Sequence, residues 1–224
     1  MKELAPGVFQ LRGFPPNGIN VYVIGDVLID ASTKLGGRRI LSQLKGRTIT
    51  AHALTHAHAD HQGASHEVCT KLGIPFWVGE NDVRAAEGGI DVIKTLQPKA
   101  FINDVIASAW GGPGHPVDRA LKEGDDVAGF TVIDAPGHSA GQVAYWRESD
   151  RVLILGDVVN TMNLATSIPG LREPPTRFTP DPVMNRASIR KLAALQPALV
   201  CAGHGPPWRD SEAFVNFANG LPTD

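Results

Sequence analysis

The sequence has little cysteine and no surplus of charge. Cys69 and Cys201 are its two cysteines, too few for a disulfide framework, and both lie in apolar stretches typical of buried thiols. Lys and Arg total 21 and Asp and Glu 23, which gives neither a basic field for nucleic acid nor a polybasic membrane patch. No apolar run approaches the roughly 20 residues that span a bilayer. With no apolar signal core after Met1, we expect a cytoplasmic protein without a membrane or nucleic-acid partner.

Metal-ligand residue types are concentrated in one short run. Three histidines and an aspartate fall within six positions, His56-Ala57-His58-Ala59-Asp60-His61. The run follows a predicted strand, Ile49 to Leu54, so His56 and His58 point the same way and can present imidazoles to one ion. Asp60 and His61 fall on the turn into a predicted helix, Gln62 to Leu72, and can face a second point nearby. Imidazoles and a carboxylate suit zinc, manganese or iron better than calcium or magnesium.

Three later segments place a candidate ligand just past a predicted strand and beside glycine. His138 follows Phe130 to Ile133, Asp157 follows Val152 to Leu155, and His204 follows Ala198 to Cys201. Glycine at these points permits tight turns and close approach of the backbone. Taken singly, each residue is more typical of a lone surface histidine or a turn aspartate than of a metal ligand. Together with the dense His/Asp run, they predict a dinuclear metal centre.

This set of residues resembles that of the metallo-β-lactamase-fold hydrolases. The resemblance runs from Pro6-Gly7-Val8 to His204-Gly205-Pro206 and implies an α/β fold, a four-layer αββα sandwich, with residues 1–224 as a single hydrolase domain. It assigns one metal to His56, His58 and His138, the other to Asp60, His61 and His204, and the bridging position to Asp157. Asp157 favours the glyoxalase II-like branch, because the zinc β-lactamases of the family do not use it.

The resemblance implies a metal-dependent hydrolase acting on a small molecule. Two divalent transition-metal ions would activate water for attack on the acyl carbon of a thioester, a lactone or a similar compound, with Asp60 handling the proton. Zinc is the first choice, with iron or manganese as alternatives, and we expect no serine nucleophile. An oxidoreductase resembling the mononuclear-iron persulfide dioxygenases is the main alternative. A β-lactamase, a nuclease or a non-catalytic module fits less well.

Loops are expected to choose the substrate. They are Gly13 to Gly18, residues 80–116 with a glycine cluster at 111–114, and Asn160 to Pro182. Apolar side chains that could form a wall there are Phe14, Trp110, Leu164 and Phe178, and two arginines, Arg172 and Arg177, could meet an anionic substrate. The other histidines have structural interpretations, although His115 is the best of them for substrate contact; the set is His52, His66 and His115. Asp30 is either a turn residue or a support for the metal ligands.

Periodicity and turn residues predict the other elements. Antiparallel strands are expected at Val8 to Leu11, Asn20 to Ile24 and Val27 to Ile29. Further strands are expected at Pro75 to Val78 and Val143 to Trp146. Helices are expected at Gly37 to Lys45, Asp82 to Glu87, Ile90 to Leu96, Val183 to Leu195 and Glu212 to Ala218.

Overall fold

A computed structural model describes residues 1–88, 105 and 108–223. Its first half is built largely around one sheet, whose strands are short because glycine, proline and asparagine turns separate them. These strands are β1 (Lys2–Ala5), β2 (Val8–Gln10), β3 (Tyr22–Ile24), β4 (Val27–Ile29), β5 (Ala51–Ala53), β6 (Phe76–Gly79) and β7 (Arg119–Leu121). The helices between them are α1 (Gly37–Leu44), α2 (Ala59–Gln62), α3 (Ser65–Leu72) and α4 (Val83–Gly88).

The second half forms another sheet and a small hairpin. The sheet contains β8 (Asp126–Val127), β9 (Phe130–Asp134), β10 (Val143–Arg147), β11 (Val152–Gly156) and β14 (Leu199–Ala202). The hairpin pairs β12 (Asn160–Met162) with β13 (Pro169–Arg172). This half has two helices, α5 (Pro182–Ala193) before β14 and α6 (Ser211–Asn219) after it. Each begins at an aspartate whose side chain accepts a backbone N–H of the first turn.

Each large sheet combines antiparallel and parallel pairing. The first runs in chain order from β1 to β7, antiparallel as far as β4 and parallel from β4 onward. The second has the order β14-β11-β10-β9-β8, with β14 parallel to β11. Because parallel neighbours need a crossover, α1 lies between β4 and β5, and α5 lies between β11 and β14 in the chain.

Side-chain alternation along the strands sorts the apolar residues into layers. On β11, Val152 and Ile154 face the core between the two sheets, and Leu153 and Leu155 join an outer core that includes Phe214 of α6. Across the molecule, Tyr22 and Ile24 of β3 face the inner core, while Val23 packs with Ile40 of α1. Helices therefore cover both outer faces, and the predicted four-layer αββα sandwich is confirmed.

The sequence predicted most central elements and missed several peripheral ones. The predicted helix Gln62 to Leu72 is wrong at its start, because α2 ends at Gln62 and α3 begins only at Ser65. Asp60 and His61 therefore lie within a one-turn helix rather than on an irregular turn. Strands β1, β7 and β8, which are two to four residues long, were not predicted.

The predicted long loop from Asn160 to Pro182 is also wrong in part. It contains β12, β13 and a 3-10 turn at Thr176–Phe178. The prolines of this segment predicted a loop. Proline is nevertheless tolerated at the start of an edge strand, and Pro169 lies at such a position. The predicted helix Ile90 to Leu96 lies outside the described residues. None of the described helices is long and apolar enough to cross a membrane.

Candidate metal centre

The seven side chains expected to bind metal come from four segments that meet at one end of the sandwich. The segment after β5 carries His56 and His58 and runs into α2. Single residues follow β9, β11 and β14. All seven side chains are buried, with at most 7% of any residue exposed; they are His56, His58, Asp60, His61, His138, Asp157 and His204.

The structure brings these side chains into three overlapping groups whose potential ligand atoms lie within 4.8 Å of one another. Two groups correspond to the two expected metal positions: His56 with His58 and His138, and Asp60 with His61 and His204. Asp157 lies between them. Its Oδ2 atom is 3.6 Å from Nε2 of His138 and 3.0 Å from Nε2 of His204, so its carboxylate faces both groups.

The donor set fits bound metal ions by a direct physical test. Buried polar atoms nearly always have a hydrogen-bond partner, because an unpaired one costs free energy. Eight buried side-chain atoms have none within the described part of the chain, and five of them belong to this cluster: Nε2 of His56, His58, His61 and His138, and Oδ1 of Asp157. Metal coordination would satisfy all five, and these atom types match the ligands of zinc and iron.

Hydrogen bonds to the opposite ring nitrogen set the tautomers of His61 and His204. Nδ1 of His61 donates to Oδ2 of Asp30 at 2.8 Å. Nδ1 of His204 donates to the carbonyl oxygen of Gly18. Because Nδ1 carries the proton in both rings when they are neutral, Nε2 presents a lone pair toward the cluster. Asp30 is thus a support for the ligands, one of the two roles considered from sequence.

Two threonines hold His56 and His138 in the same way. The hydroxyl of Thr55 donates to Oδ2 of Asp30 at 2.9 Å, so its oxygen accepts Nδ1–H of His56 at 3.0 Å. The hydroxyl of Thr179 donates to a backbone carbonyl, so its oxygen accepts Nδ1–H of His138 at 3.1 Å. Sequence reasoning did not find these threonines, because nothing in the neighbouring residues marks them as partners of histidine.

The pKa values of the histidines in the cluster are shifted in opposite directions. Burial lowers the pKa of His56 and of His138 well below the usual value, and neighbouring histidines lower it further. Burial also acts to lower the pKa of His204, but Asp157 and Asp60 outweigh it and raise that pKa to about 10. The carboxylates of Asp60 and Asp157 have a lowered pKa, because His61 and His204 overcome the upward effect of burial.

A buried aspartate connects two of the ligand loops. Asp82 accepts the backbone N–H of Ala57 at 2.9 Å, the hydroxyl of Ser139 at 2.6 Å and the backbone N–H of Gly141 at 2.8 Å. Ala57 stands between His56 and His58, and Ser139 follows His138. Asp82 therefore sets the distance between the two loops that carry one expected metal position. In the sequence it had only the properties of a residue at the start of a helix.

The run from Gly137 to Gly141 has the Gly-x-Ser-x-Gly spacing of a serine-hydrolase elbow, which our expectation of no serine nucleophile did not take into account. In the structure Ser139 is fully buried and donates its hydroxyl to Asp82. No helix begins directly after Ser139, as an elbow requires. Ser139 is therefore a structural residue of the His138 loop.

Gly203 allows β14 to end directly against the cluster. A Cβ atom at this position would collide with Oδ1 of Asp157 and lie 2.6 Å from Cε1 of His61. No larger residue fits here unless one of these two side chains moves. The glycine beside His204 is thus required by packing around the expected metal positions.

A cavity of about 380 Å³ opens onto the cluster. Its polar base includes His58, Asp60, His138, Asp157 and His204. Its wall is mostly apolar and includes Trp110, Leu164 and Phe178, as expected, together with Ile19 and Met162. Phe14 does not line it and is 86% exposed; Pro15 lies there instead.

The remaining histidines lie outside this cavity. His52 is fully buried and bonded to the carbonyl of Leu28 and the hydroxyl of Ser65. His115 does not line the cavity, so the expectation that it contacts the substrate has no support. Its Nδ1 atom lies 3.1 Å from Nδ1 of His66. Both cysteines are buried and unpaired, as expected, and burial raises the pKa of each thiol to about 12.

Comparison with known families gives a match over most of the chain. The model described as the metallo-beta-lactamase superfamily matches residues 14–204. The chain is 30% identical over 231 residues to a probable metallo-hydrolase, YflN, of Bacillus subtilis (strain 168), covering 92% of this chain and 86% of that protein. It is 31% identical over 172 residues to a hydroxyacylglutathione hydrolase of Fuscovulum blasticum, covering 74% of this chain and 52% of that one.

A solved structure shows a similar fold. TTHA1623 in a di-iron-bound form aligns with a TM-score of 0.61 and 28% sequence identity, covering 93% of each chain. Its two bound irons are a property of that protein.

Proposed function

The chain belongs to the metallo-beta-lactamase superfamily and has its fold, and from that premise we propose that it is a metal-dependent hydrolase with a dinuclear centre. We propose that residues 1–224 act as one domain and that the substrate is a thioester, a lactone or a similar small acyl compound. The observation that carries this proposal is the convergence of five unpaired buried ligand atoms in one cluster, onto which an apolar cavity opens.

The residues at the two positions would hold the metals as the family pattern implies. One ion would be held by His56, His58 and His138, the second by Asp60, His61 and His204, with Asp157 contributing to both. Bound divalent ions of this kind lower the pKa of water toward neutrality and polarise a carbonyl group. Zinc remains the first choice, and the di-iron relative supports iron as the alternative.

The protein's own side chains would then position the substrate and move a proton. Asp60 lines the cavity, and its Oδ2 lies 3.2 Å from Nε2 of His204. A carboxylate there can accept a proton from water and pass it to the leaving group. The apolar wall around Met162, Leu164 and Phe178 would hold the acyl group and exclude bulk water, which strengthens the electrostatic interactions at the base.

Two observations support a thioester rather than a β-lactam. Asp157 faces both groups of ligands, as the glyoxalase II-like branch requires. The relative that is named a hydroxyacylglutathione hydrolase has, by that name, a thioester substrate. The cavity of about 380 Å³ is at the small end of the usual range for ligand sites, which suits a short acyl compound.

Hydrolysis assays with the protein as purified test this proposal. We expect release of thiol or acid from at least one member of a panel of acyl thioesters and lactones. Activity should be lost on treatment with a chelator and regained when zinc or iron is restored. The variant His58→Ala should lose activity, whereas His66→Ala, which replaces a histidine outside the cavity, should keep it. Turnover that survives complete metal removal, or no turnover across the panel, would contradict the proposed function.

A further inference from the structure

A second cavity adjoins the one above the metal centre. It measures about 440 Å³ and lies between the β12–β13 hairpin and the 3-10 turn that follows. The two cavities share five lining residues: Met162, Leu164, Pro175, Arg177 and Phe178. These residues therefore form a wall that the two cavities have in common, with the metal centre on one side of it.

The two arginines that line the second cavity have no carboxylate partner among the described residues. Two arginines line it, Arg172 and Arg177, and in the described part of the chain neither has a carboxylate within 4.0 Å. The one acidic residue in its lining, Glu173, pairs with Arg186 at 2.7 Å. Neighbouring charges thus leave two cations that face an open space, which favours an anion there.

Arg177 is the better placed of the two arginines. It is the one charged residue outside the ligand cluster that lines both cavities along the described chain. Its guanidinium carbon lies 4.5 Å from the ring centroid of Phe178, a cation–π contact that restrains the side chain at the shared wall.

We propose that the second cavity is a subsite for a carboxylate on the substrate, which Arg177 binds together with Arg172. This inference rests on the proposed function and narrows it, because the substrate becomes an acyl compound that carries a negative charge away from the bond that is cleaved. The apolar wall holds the segment between the two ends. A planar guanidinium matches the two oxygens of a carboxylate, which gives directional recognition that a lysine would not supply.

A matched pair of substrates tests the subsite. Butyryl thioesters of 3-mercaptopropionate and of 3-mercaptopropionamide differ by a charge and by little in shape. For Arg177→Gln we expect kcat/KM to fall about 10-fold or more for the acid, mainly through KM, with less than about a 2-fold change for the amide. Arg177→Lys should restore part of the difference. Arg38→Gln, which removes an exposed arginine of α1, should change neither substrate.

A binding measurement separates this inference from the proposed reaction. The corresponding S-butyl thioethers cannot be hydrolysed, and calorimetric titration gives their affinities for the protein as purified. The acid should bind about 10-fold more tightly than the amide in the wild type, and Arg177→Gln should reduce this preference toward unity. No preference in the wild type, or a preference that Arg177→Gln leaves intact, overturns the subsite. Absence of turnover with either thioester would count against the hydrolase alone.

Discussion

Oδ2 of Asp30 lies 2.8 Å from Nδ1 of His61, and the two residues are 31 positions apart in the sequence. The same carboxylate accepts the backbone N–H and the hydroxyl of Thr55, whose oxygen in turn accepts from Nδ1 of His56. One buried aspartate therefore orients a histidine in each of the two expected metal positions. Partners of this kind fix the ring orientation of metal ligands and raise their basicity.

Asp30→Asn should weaken metal binding without unfolding the protein. An amide cannot accept at both former oxygen positions, so at least one donor from His61 or Thr55 loses its partner. Asparagine tolerates the positive φ of 61° that Asp30 adopts. We expect metal affinity to fall about 10- to 100-fold, measured by competition with a chromogenic chelator. Asp26→Asn, at an exposed site, is the control, and an unchanged affinity in Asp30→Asn would contradict the role of Asp30.

Asp82→Ala should be strongly destabilising. It leaves the backbone N–H groups of Ala57 and Gly141 and the hydroxyl of Ser139 without their acceptor in a buried site. We expect the free energy of unfolding of the metal-free protein to fall by about 3 kcal/mol or more, measured by urea titration. Asp26→Ala should have a small effect by comparison. A loss below about 1 kcal/mol for Asp82→Ala would show that these loops are held in some other way.

Gly203→Ala tests the close packing at the end of β14. The added Cβ would displace the carboxylate of Asp157 or the ring of His61, so the metal content of the purified protein should fall while the fold is retained. Gly220→Ala is a matched control, because a Cβ there lies an acceptable 3.4 Å from its nearest neighbour. Equal metal content in the two variants would refute the packing argument.

His52, which is not one of the expected metal ligands, predicts a dependence of stability on pH. Burial lowers the pKa of His52 to about 4 in the folded protein, from 6.5 when it is unperturbed. Between these values the unfolded chain binds a proton that the folded chain does not, so stability is lost as the pH falls. From pH 7 to pH 5 this effect amounts to about 2 kcal/mol.

The variant His52→Gln isolates this contribution, since other titrating groups are common to both proteins. Urea unfolding at pH 7 and pH 5 should show a smaller loss of stability for the variant than for the wild type. The same pH dependence in both proteins would assign the acid sensitivity to other residues.

The expected ligands could be predicted from the sequence because their neighbouring residues form recognisable patterns. His138, Asp157 and His204 each follow a predicted strand rich in apolar residues, and His56, His58 and His61 fall within one short run after another strand. Their supporting residues had no such local mark. Thr179 is 41 positions from His138, Asp82 is 57 from Ser139, and Gly18 is 186 from His204. These contacts arise from the way the two sheets pack, which periodicity along the chain does not report.

The β12–β13 hairpin beside the cavity was not predicted for a different reason, because its own residues favour a loop. Pro169 and the prolines after β13 favoured a loop, yet Asn160 pairs with Arg172 and Met162 with Pro169. Pairing with another segment thus overrode the local signal, and it created the second cavity that Arg172 and Arg177 line.

Metal content per chain tests the dinuclear centre most directly. Plasma emission spectroscopy would be applied to protein purified without added metal, for the wild type, Asp157→Ala, His204→Ala and the control His66→Ala. We expect two ions per chain in the wild type and the control, and a value falling toward one in the other two variants. A single iron in the wild type, unchanged by His204→Ala, would contradict the dinuclear hydrolase and favour oxygen-dependent chemistry instead.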